Sequence, residues 1–306
     1  MRIFSDASEM RAWSREQRKQ GLKIGFVPTM GALHEGHISL VRAARGLCDV
    51  VVASVYVNPT QFSANEDFDV YPRDVEGDRT KLEEAGCCTV FEPRSLYRGN
   101  NGDASNVVGR EGASPDAHET FVQVERLQKP LCGKSRPHFF KGVTTIVSKL
   151  FNIVEPDVAV FGRKDYQQWR VITRMVRDLD FDVEVVGMPI CREADGLALS
   201  SRNARLTPEA RQAALCIPRA LEWAKSAYMG KPAPAPADLA SRIGVMIKDA
   251  GGLVDYVEVL DAQNLQPVLD ITVQPTLVAV AAHFPARDQG SVRLIDNCVL
   301  ETSVGE

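Results

Sequence analysis

The sequence has little net charge and no long hydrophobic run, and each shortage excludes a class of partner. Its 306 residues carry 36 Lys and Arg against 40 Asp and Glu, a net charge of −4, so the overall charge attracts neither nucleic acid nor an anionic membrane. The longest apolar stretch, Val50–Val57, has eight residues and already contains Ser54, whereas a membrane helix needs roughly 20. We expect no nucleic-acid and no membrane partner.

Paired cysteines and a secretory signal are also lacking. The seven cysteines are an odd number, are spread over the chain and form no CxxC pair, which favours free thiols in a reducing compartment. Met1–Gln20 is charged throughout and has no hydrophobic centre of the kind that a signal peptide needs. We therefore expect a cytoplasmic protein.

Several common catalytic motifs are missing. No GxGxxG follows the first predicted strand, which disfavours a nicotinamide enzyme, and no GxSxG is present for a generic α/β hydrolase. Gly133-Lys134-Ser135 resembles the end of a P-loop, but Gln128 occupies the position where that motif requires glycine. His34 and His37 are three apart, whereas zinc protease helices place their histidines four apart.

The composition is that of a folded protein, with 44% hydrophobic and 25% charged residues. Over the first 190 residues, the sequence predicts strands that alternate with helices. Apolar residues at helical spacing predict helices over Val143–Val154 and Tyr166–Leu179. Short β-branched runs predict strands over Lys23–Val27, Val50–Val57, Thr89–Phe91, Val158–Phe161 and Val183–Val186. Such alternation predicts an α/β fold, a mostly parallel sheet with helices on both faces. Ligands of such sheets bind at the carboxyl ends of the strands, where the strand order reverses.

The last third has a different pattern. It predicts helices over Pro208–Met229 and Asp238–Ala250, then strands over Tyr256–Leu260, Leu277–Ala282 and Val292–Leu294. We expect a first domain over residues 1–190 and a smaller α+β domain over 191–306. A Pro/Ala-rich hinge at Lys231–Ala237 lies inside the second, and Arg98–Ala117 is predicted to be a long surface insertion in the first.

The densest motif is FVPTMGALHEGHISLVR at Phe26–Arg42, a strand, a turn and a helix that starts near His34. Gly31 and Gly36 remove side chains where the backbone approaches something closely. On the helix, His37 lies on the side that faces the sheet, which points it into the crevice at the strand ends. A helix N-terminus with two imidazoles suits phosphates. The alternative, one core and one surface histidine, fits a lone histidine better than this motif.

Three further clusters follow predicted strands or loops. Gly162–Gln168 carries an arginine, a lysine and two glutamines that suit anionic oxygens, although a solvated helix start with Asp165 as its first-turn acid is an alternative. Asp195–Asn203 ends in two hydroxyls and a guanidinium, and taken alone it is best interpreted as a helix-capping turn. Asn58–Phe62 places polar amides at the end of the second long strand.

Together these clusters resemble the pantothenate synthetase (pantoate–β-alanine ligase) family, within the wider HxGH nucleotidylyltransferase superfamily. The motifs that carry the resemblance span Phe26 to Asn297, and some have plant-type wording: PTMGALHEGH, VNPTQF, YPRD, HFFKGVTTIVSKLFNIVEPD, FGRKDYQQ, DGLALSSRN and RLIDN. The resemblance implies a Rossmann-like, doubly wound first domain, a smaller second domain covering the active site, and a homodimer. It also implies that ATP with Mg²⁺ joins D-pantoate to β-alanine through pantoyl adenylate, releasing AMP and pyrophosphate.

The resemblance also assigns site residues. Catalytic roles at the phosphates fall to His34, His37, Lys164, Ser200, Ser201 and Arg202, with His37 stabilising or protonating the departing pyrophosphate. Substrate contacts fall to Gln61, Gln168 and Asn58, and a metal contact to Asp78. The implied ATP contacts are Met30, Gly31, Ala32, Leu33, His34, Glu35, Gly36, His37, Gly162, Arg163, Lys164, Asp165, the backbone of Cys191, Leu199, Ser200, Ser201 and Arg202.

Some residues depart from the family pattern, and other functions remain open. Arg163 stands where many members have Glu, and Gly77 replaces an acid that in some members helps to hold Mg²⁺. One rival is an adenylyltransferase acting on a phosphorylated acceptor, although Gln61 and Gln168 supply less positive charge than a phosphate acceptor needs. A second is a nucleotide sensor without activity, which retention of the two histidines and Lys164 disfavours.

Overall fold

The structure, a computed structural model, describes residues 1–62, 71–97, 117–288 and 290–301. It divides into two compact units, which are described separately. Unit 1 comprises Met1–Arg163 and Val171–Pro189, and unit 2 comprises Lys164–Arg170 and Ile190–Glu306. The insertion predicted at Arg98–Ala117 lies outside the described residues except for Ala117, which is buried.

Unit 1 contains a parallel sheet of six strands within the described residues. The strands are β1 (Arg2–Phe4), β2 (Ile24–Thr29), β3 (Val50–Val55), β4 (Thr89–Phe91), β5 (Val158–Gly162) and β6 (Glu184–Met188), in the spatial order β1-β4-β3-β2-β5-β6. Strand β2 pairs in parallel with β3 on one side and with β5 on the other. The strand order therefore reverses beside β2, which makes the carboxyl ends of β2 and β5 the expected ligand edge.

Helices cover both faces of this sheet. They are α1 (Ala7–Lys19), α2 (Glu35–Leu47), α3 (Val75–Glu84), α4 (Cys132–Ser135), α5 (Phe139–Val154) and α6 (Tyr166–Asp178). Phe26 and Val27 are consecutive on β2 and point to opposite faces. Phe26 packs against Phe151 of α5, with ring centroids 6.3 Å apart, whereas Val27 belongs to an apolar core with Val41 of α2 and Leu82 of α3. The doubly wound α/β fold is thus confirmed.

Unit 2 is a smaller α+β arrangement. Its helices are α7 (Pro208–Ala213), α8 (Cys216–Met229) and α9 (Pro236–Asp249), and its strands are β7 (Leu253–Asp261), β8 (Thr276–Pro285) and β9 (Ser291–Leu300). The strands form an antiparallel sheet in the order β7-β8-β9. Fully buried Leu221 and Ile243 from the two longer helices join Val280 and Phe284 of β8 in one core. Among the residues described, no helix has the length and apolarity that crossing a bilayer requires.

Two predicted boundaries in unit 2 differ from the structure. The helix predicted over Pro208–Met229 is two helices, because Pro218 lacks the N–H that a continuous helix would need there and so lies in the first turn of a new one. The strand predicted over Val292–Leu294 continues as β9 to Leu300. Its polar residues Asp296 and Asn297 are 3% and 6% exposed, and their partners lie elsewhere in unit 2.

At Gly142, helix α5 approaches the turn that follows β3 closely. A Cβ at Gly142 would lie 2.5 Å from the carbonyl oxygen of Thr60 and 2.7 Å from the backbone nitrogen of Gln61. Both neighbours are backbone atoms, which cannot move aside as a flexible side chain can. The glycine therefore lets α5 pack directly on the turn that carries Gln61.

We expect Gly142→Ala to lower the free energy of unfolding by about 1–3 kcal/mol, because the added methyl forces α5 away from that turn. Urea denaturation would measure it. Gly244→Ala in α9 is the matched control, since nothing lies within 4 Å of its Cβ position. There the better helix propensity of alanine should raise stability by roughly 0.5–1 kcal/mol. Equal effects at the two glycines would contradict the close contact.

Candidate active site

The turn that joins β2 to α2 has an unusual backbone that its neighbours hold in place. Gly31 and Ala32 both have left-handed backbones, with φ of 85° and 51°. A Cβ at Gly31 would lie 3.1 Å from Asp78 Oδ2, so glycine suits both the angle and the space. Ala32 is strained by roughly 1 kcal/mol or more. Its N–H donates to Asp78 Oδ2 at 2.8 Å, and that of Leu33 donates to Oδ1 at 2.7 Å.

Helix α2 begins with two histidines in a reciprocal cap. His34 is the N-cap, and its Nδ1 accepts the N–H of Gly36 at 3.1 Å. The Nδ1 of His37 accepts the N–H of His34 at 3.4 Å, and the ring centroids are 4.1 Å apart. A ring nitrogen that accepts a hydrogen bond carries no proton, so the neutral form of each ring holds its proton on Nε2.

This arrangement can stabilise an anion without any change in protonation. Both half-buried rings present an Nε2–H donor, and both stand at the helix end where the backbone dipoles are positive. Phosphate oxygens bind readily at such a position. Glu35, between the histidines, is exposed and pairs with Arg42, so its carboxylate does not take up the helix end.

The end of β3 carries a buried network around Asn58, which is 1% exposed. Its Nδ2 donates to Gln61 Oε1 at 3.0 Å and to the carbonyl oxygen of Gly142 at 3.1 Å. Its Oδ1 accepts the hydroxyls of Tyr97 at 2.7 Å and Thr60 at 3.0 Å. Every polar atom of this side chain is therefore used inside the protein. Asn58 therefore positions Gln61, and the substrate contact that the resemblance implies for Asn58 stays a prediction.

Gln61 is oriented by that network toward the β2–α2 turn. Its Oε1 accepts from Asn58, and its Nε2 lies 2.9 Å from the sulfur of Met30. Gln61 is 8% exposed, and each end of its amide makes one of these contacts, so one N–H of Nε2 and one lone pair of Oε1 remain for a ligand. The structure thus brings Gln61 and Met30 together, as the shared sheet edge predicts.

The end of β5 carries the cluster Gly162–Gln168, which the two units divide. Gly162 ends the strand, and its Cβ position lies 4.0 Å from Leu40 of α2. In unit 2, the backbone oxygen of Lys164 accepts from Asn297 Nδ2 at 3.0 Å, and the Tyr166 hydroxyl donates to the carbonyl of Ala262 at 3.0 Å. Gln167 is 4% exposed, so Gln168 is the more accessible of the two glutamines.

The Ser200–Arg202 segment is a capping turn, as its sequence taken alone predicts. Ser200 is the N-cap of a 3-10 turn and accepts the N–H of Arg202 at 3.3 Å. Asn203 Nδ2 ties the turn to the carbonyl of Ala198 at 3.0 Å. The N–H of Leu199 donates to the carbonyl of Cys191 at 3.0 Å, so the two predicted ATP contacts are backbone neighbours.

Sequence reasoning missed how the RLIDN motif supports this loop. Arg192 donates to both oxygens of buried Asp296, at 2.7 and 2.9 Å. Burial works against the charge of Arg192, but the Asp296 carboxylate still raises the pKa of the guanidinium above its ordinary value. The neighbouring Asn297 holds the backbone of Lys164. The motif was a usable signal, because an acid and an amide inside an apolar strand need buried partners.

The predicted site residues differ in exposure. Gly31, Leu33, Asn58, Gln61 and Asp78 are buried, whereas Glu35, Arg163 and Asp165 are exposed. The half-buried residues are Met30, Ala32, His34, Gly36, His37, Gly162, Lys164, Gln168, Cys191, Leu199, Ser200, Ser201 and Arg202.

The residues present do not fit a protein-built magnesium site. Asp78 is 2% exposed, and each of its oxygens accepts a backbone N–H. Burial raises the pKa of Asp78, and the bonds from Leu33 and Ala32 lower it in part. Over the described part of the chain, no group of three or more His, Cys, Asp or Glu side chains could hold a metal ion. A direct Asp78–Mg²⁺ contact therefore does not fit this geometry.

Fold and site geometry together define a class: a Rossmann-like α/β protein in which the helix after the central strand begins with two capping histidines. The family model described as pantoate–β-alanine ligase matches residues 2–299. A pantoate–β-alanine ligase of Arabidopsis thaliana is 50% identical, with 99% of each chain covered, in agreement with the plant-type wording. The chain belongs to the pantoate–β-alanine ligase family, and it is an enzyme of the ligase class.

Solved structures agree. Pantothenate synthetase from Thermus thermophilus is 40% identical with a TM-score of 0.82, covering 98% of this chain and 100% of that one. Pantoate–β-alanine ligase from Francisella tularensis is 30% identical with a TM-score of 0.74, covering 99% of each chain. The Francisella tularensis protein was solved complexed with β-γ ATP and β-alanine.

We expect Asn58→Asp to lower the free energy of unfolding at pH 8 by about 2–4 kcal/mol, because a carboxylate oxygen would face the oxygens of Gln61 and Gly142. Burial would raise the pKa of the new carboxyl above its unfolded value of about 3.9. The folded state then binds the proton more tightly, so the deficit shrinks as the pH falls toward 5.

Urea denaturation at several pH values would measure this deficit. Asn152→Asp, at an exposed position of the same helix as Gly142, is the control and should change stability by less than about 0.5 kcal/mol. If Asn58→Asp proved as stable as the unsubstituted protein at pH 8, the described network would be wrong.

Proposed function

We propose that this enzyme joins D-pantoate to β-alanine in two steps at the β2–α2 edge. In the first, a carboxylate oxygen of pantoate attacks the α-phosphorus of ATP, the bond to the β-phosphate oxygen breaks, and pyrophosphate leaves. In the second, the amine nitrogen of β-alanine attacks the acyl carbon of pantoyl adenylate. The carbon–oxygen bond to AMP breaks, AMP leaves, and the amine gives up a proton to solvent, which yields pantothenate.

The observation that carries this proposal is the pair of Nε2–H donors at the start of α2. A pantoate carboxylate is already ionised at neutral pH, so the first step needs no general base. What it needs is alignment and neutralisation of the charge that grows on the phosphates. Two donors that the backbone has already oriented supply this with no reorganisation during the reaction.

Pantoate recognition is proposed for Gln61 and Gln168. Asn58 and Met30 hold the two ends of the Gln61 amide, and its second N–H is proposed to donate to an oxygen of pantoate, either hydroxyl or carboxylate. Such a neutral donor suits a hydroxy acid better than a phosphorylated acceptor, which needs fixed positive charge.

Lys164, Ser200, Ser201 and Arg202 of unit 2 are proposed to bind the phosphates, and Cys191 and Leu199 to contact ATP through the backbone. The capping turn at Ser200 fits this role because it directs a hydroxyl and a guanidinium from one short segment. We also propose that this segment keeps water from the adenylate.

The remaining parts of the proposal concern metal, assembly and location. Mg²⁺ enters only as the ion that ATP brings on its own phosphate oxygens and water, as is usual for this cation. A homodimer is proposed from the family resemblance. A cytoplasmic location is supported by the cysteines, all seven of which are free thiols.

Product analysis tests the proposal directly. The purified protein is incubated with ATP, Mg²⁺ and D-pantoate, with and without β-alanine. We expect AMP in proportion to pantothenate only when both substrates are present. Without β-alanine, labelled pyrophosphate should pass into ATP only when pantoate is added, because reversal of the first step remakes ATP.

Other outcomes would name a different function. Pyrophosphate release without AMP when a phosphorylated acceptor replaces pantoate would identify the rival adenylyltransferase. ATP binding with no turnover in any mixture would identify a nucleotide sensor. Either result would overturn the ligase mechanism proposed for this chain.

The histidine caps permit variants that separate structure from chemistry. His34→Asn keeps an N-cap acceptor and His37→Gln keeps a capping-box residue, but each removes one imidazole Nε2–H. We expect each to slow pyrophosphate exchange by about 10²–10³-fold, the cost of one preorganised donor. Thermal unfolding should change little, whereas His34→Ala, which also removes the cap, should lower stability by about 1 kcal/mol. Full activity in His34→Asn and His37→Gln would exclude the donor role.

A further inference from the structure

Asp78 is a buried carboxylate whose bonds all lead to the β2–α2 turn. It lies on α3, is 2% exposed, and accepts the N–H groups of Ala32 at 2.8 Å and Leu33 at 2.7 Å. These distances are those of charge-assisted hydrogen bonds, which are stronger than neutral ones. Leu33 directly precedes the N-cap His34, so the carboxylate acts on the residue that introduces the histidine pair.

One turn further along α3, Lys81 holds the next peptide group, the one that joins Leu33 to His34. Its Nζ donates to the carbonyl oxygen of Leu33 at 2.9 Å. Asp78 and Lys81 together therefore satisfy both the N–H and the carbonyl of Leu33. Residues three apart on a helix face the same way, which explains how one helix supplies both contacts.

The turn needs such an anchor. Gly31 and Ala32 are consecutive left-handed residues, and an alanine adopts that conformation only where its surroundings impose it. If the two N–H groups lost their acceptor, Ala32 would relax toward an ordinary backbone angle. The start of α2, and with it the direction of both imidazole rings, would then move.

We propose that Asp78, with Lys81, is a positioning residue of the adenylation site: it holds the backbone that aims His34 and His37, and it acts through that backbone rather than through a metal ion. The kinetic part of this inference rests on the proposed function. The structural part, the anchoring of two named amides, does not.

The test compares Asp78→Asn and Lys81→Met with the unsubstituted enzyme. Asn places an N–H₂ group where one carboxylate oxygen accepted, so a donor faces a donor. Lys81→Met removes the second anchor and leaves every carboxylate residue of the chain in place. A lysine ammonium cannot ligate Mg²⁺, so this substitution removes no possible metal ligand. Glu76→Gln is the matched control, because it removes one negative charge from the same helix at a side chain that is 84% exposed.

Two readouts are needed. Hydrogen exchange at the amides of Ala32 and Leu33 should accelerate by about tenfold or more in both variants and remain unchanged in Glu76→Gln. Pantoate-dependent pyrophosphate exchange should fall by about 10- to 100-fold in Asp78→Asn and less in Lys81→Met, because misaligned donors lose their advantage. The Mg²⁺ concentration that gives half the maximal rate should stay the same in all three.

Two results would overturn the inference. One is unchanged exchange at Ala32 and Leu33 in Asp78→Asn. The other is a rise of about tenfold or more in the Mg²⁺ requirement of Asp78→Asn with none in Lys81→Met, which would make Asp78 a metal ligand. If the unsubstituted enzyme shows no pantoate-dependent exchange, the proposed function fails, while the amide exchange still decides whether Asp78 anchors the turn.

Discussion

Helix α2 begins with N–H groups that need acceptors from outside the regular helical pattern, and two imidazole rings accept those of His34 and Gly36. Because Nδ1 of each ring is used in this way, Nε2 becomes the donor of both rings, and the ring directions are set by the helix itself. The left-handed turn before the helix and the hydrogen bonds from α3 to that turn fix the position at which α2 begins. The chemistry proposed for the site therefore depends on an ordinary requirement of helix ends.

A second constraint is the close approach of backbones at the same edge of the sheet. Gly142 lets α5 reach the carbonyl of Thr60, and that contact brings the Gly142 oxygen to Asn58. Asn58 in turn holds the oxygen end of the Gln61 amide. The imidazoles and the amide are thus oriented by hydrogen bonds within the protein. Oriented donors suit a reaction that needs charge stabilisation and no proton abstraction, which is the case when a carboxylate is the nucleophile.

Much of the fold could be predicted from the sequence, because helix and strand periods are local properties of the chain. The predicted strands of the parallel sheet appear within a few residues of their observed bounds, and the histidine helix begins at Glu35, within two residues of its predicted start. Strand β1 was missed since three residues carry no period. The end of β9 was missed because polar Asp296 and Asn297 are typical of a strand end, whereas their buried partners lie far along the chain.

The sequence by itself determined the α/β class, the place of the histidines at a helix start and the resemblance to one ligase family, since each depends on residues close together in the chain. The tertiary structure decided which polar side-chain atoms are already hydrogen-bonded within the protein. Asn58 and Asp78 fit a ligand role by residue type. Yet Asn58 meets a carbonyl 84 residues away, and Asp78 meets two amides 45 and 46 residues away. A side chain has a fixed number of hydrogen-bond donors and acceptors, and only the folded chain shows which groups they bond to.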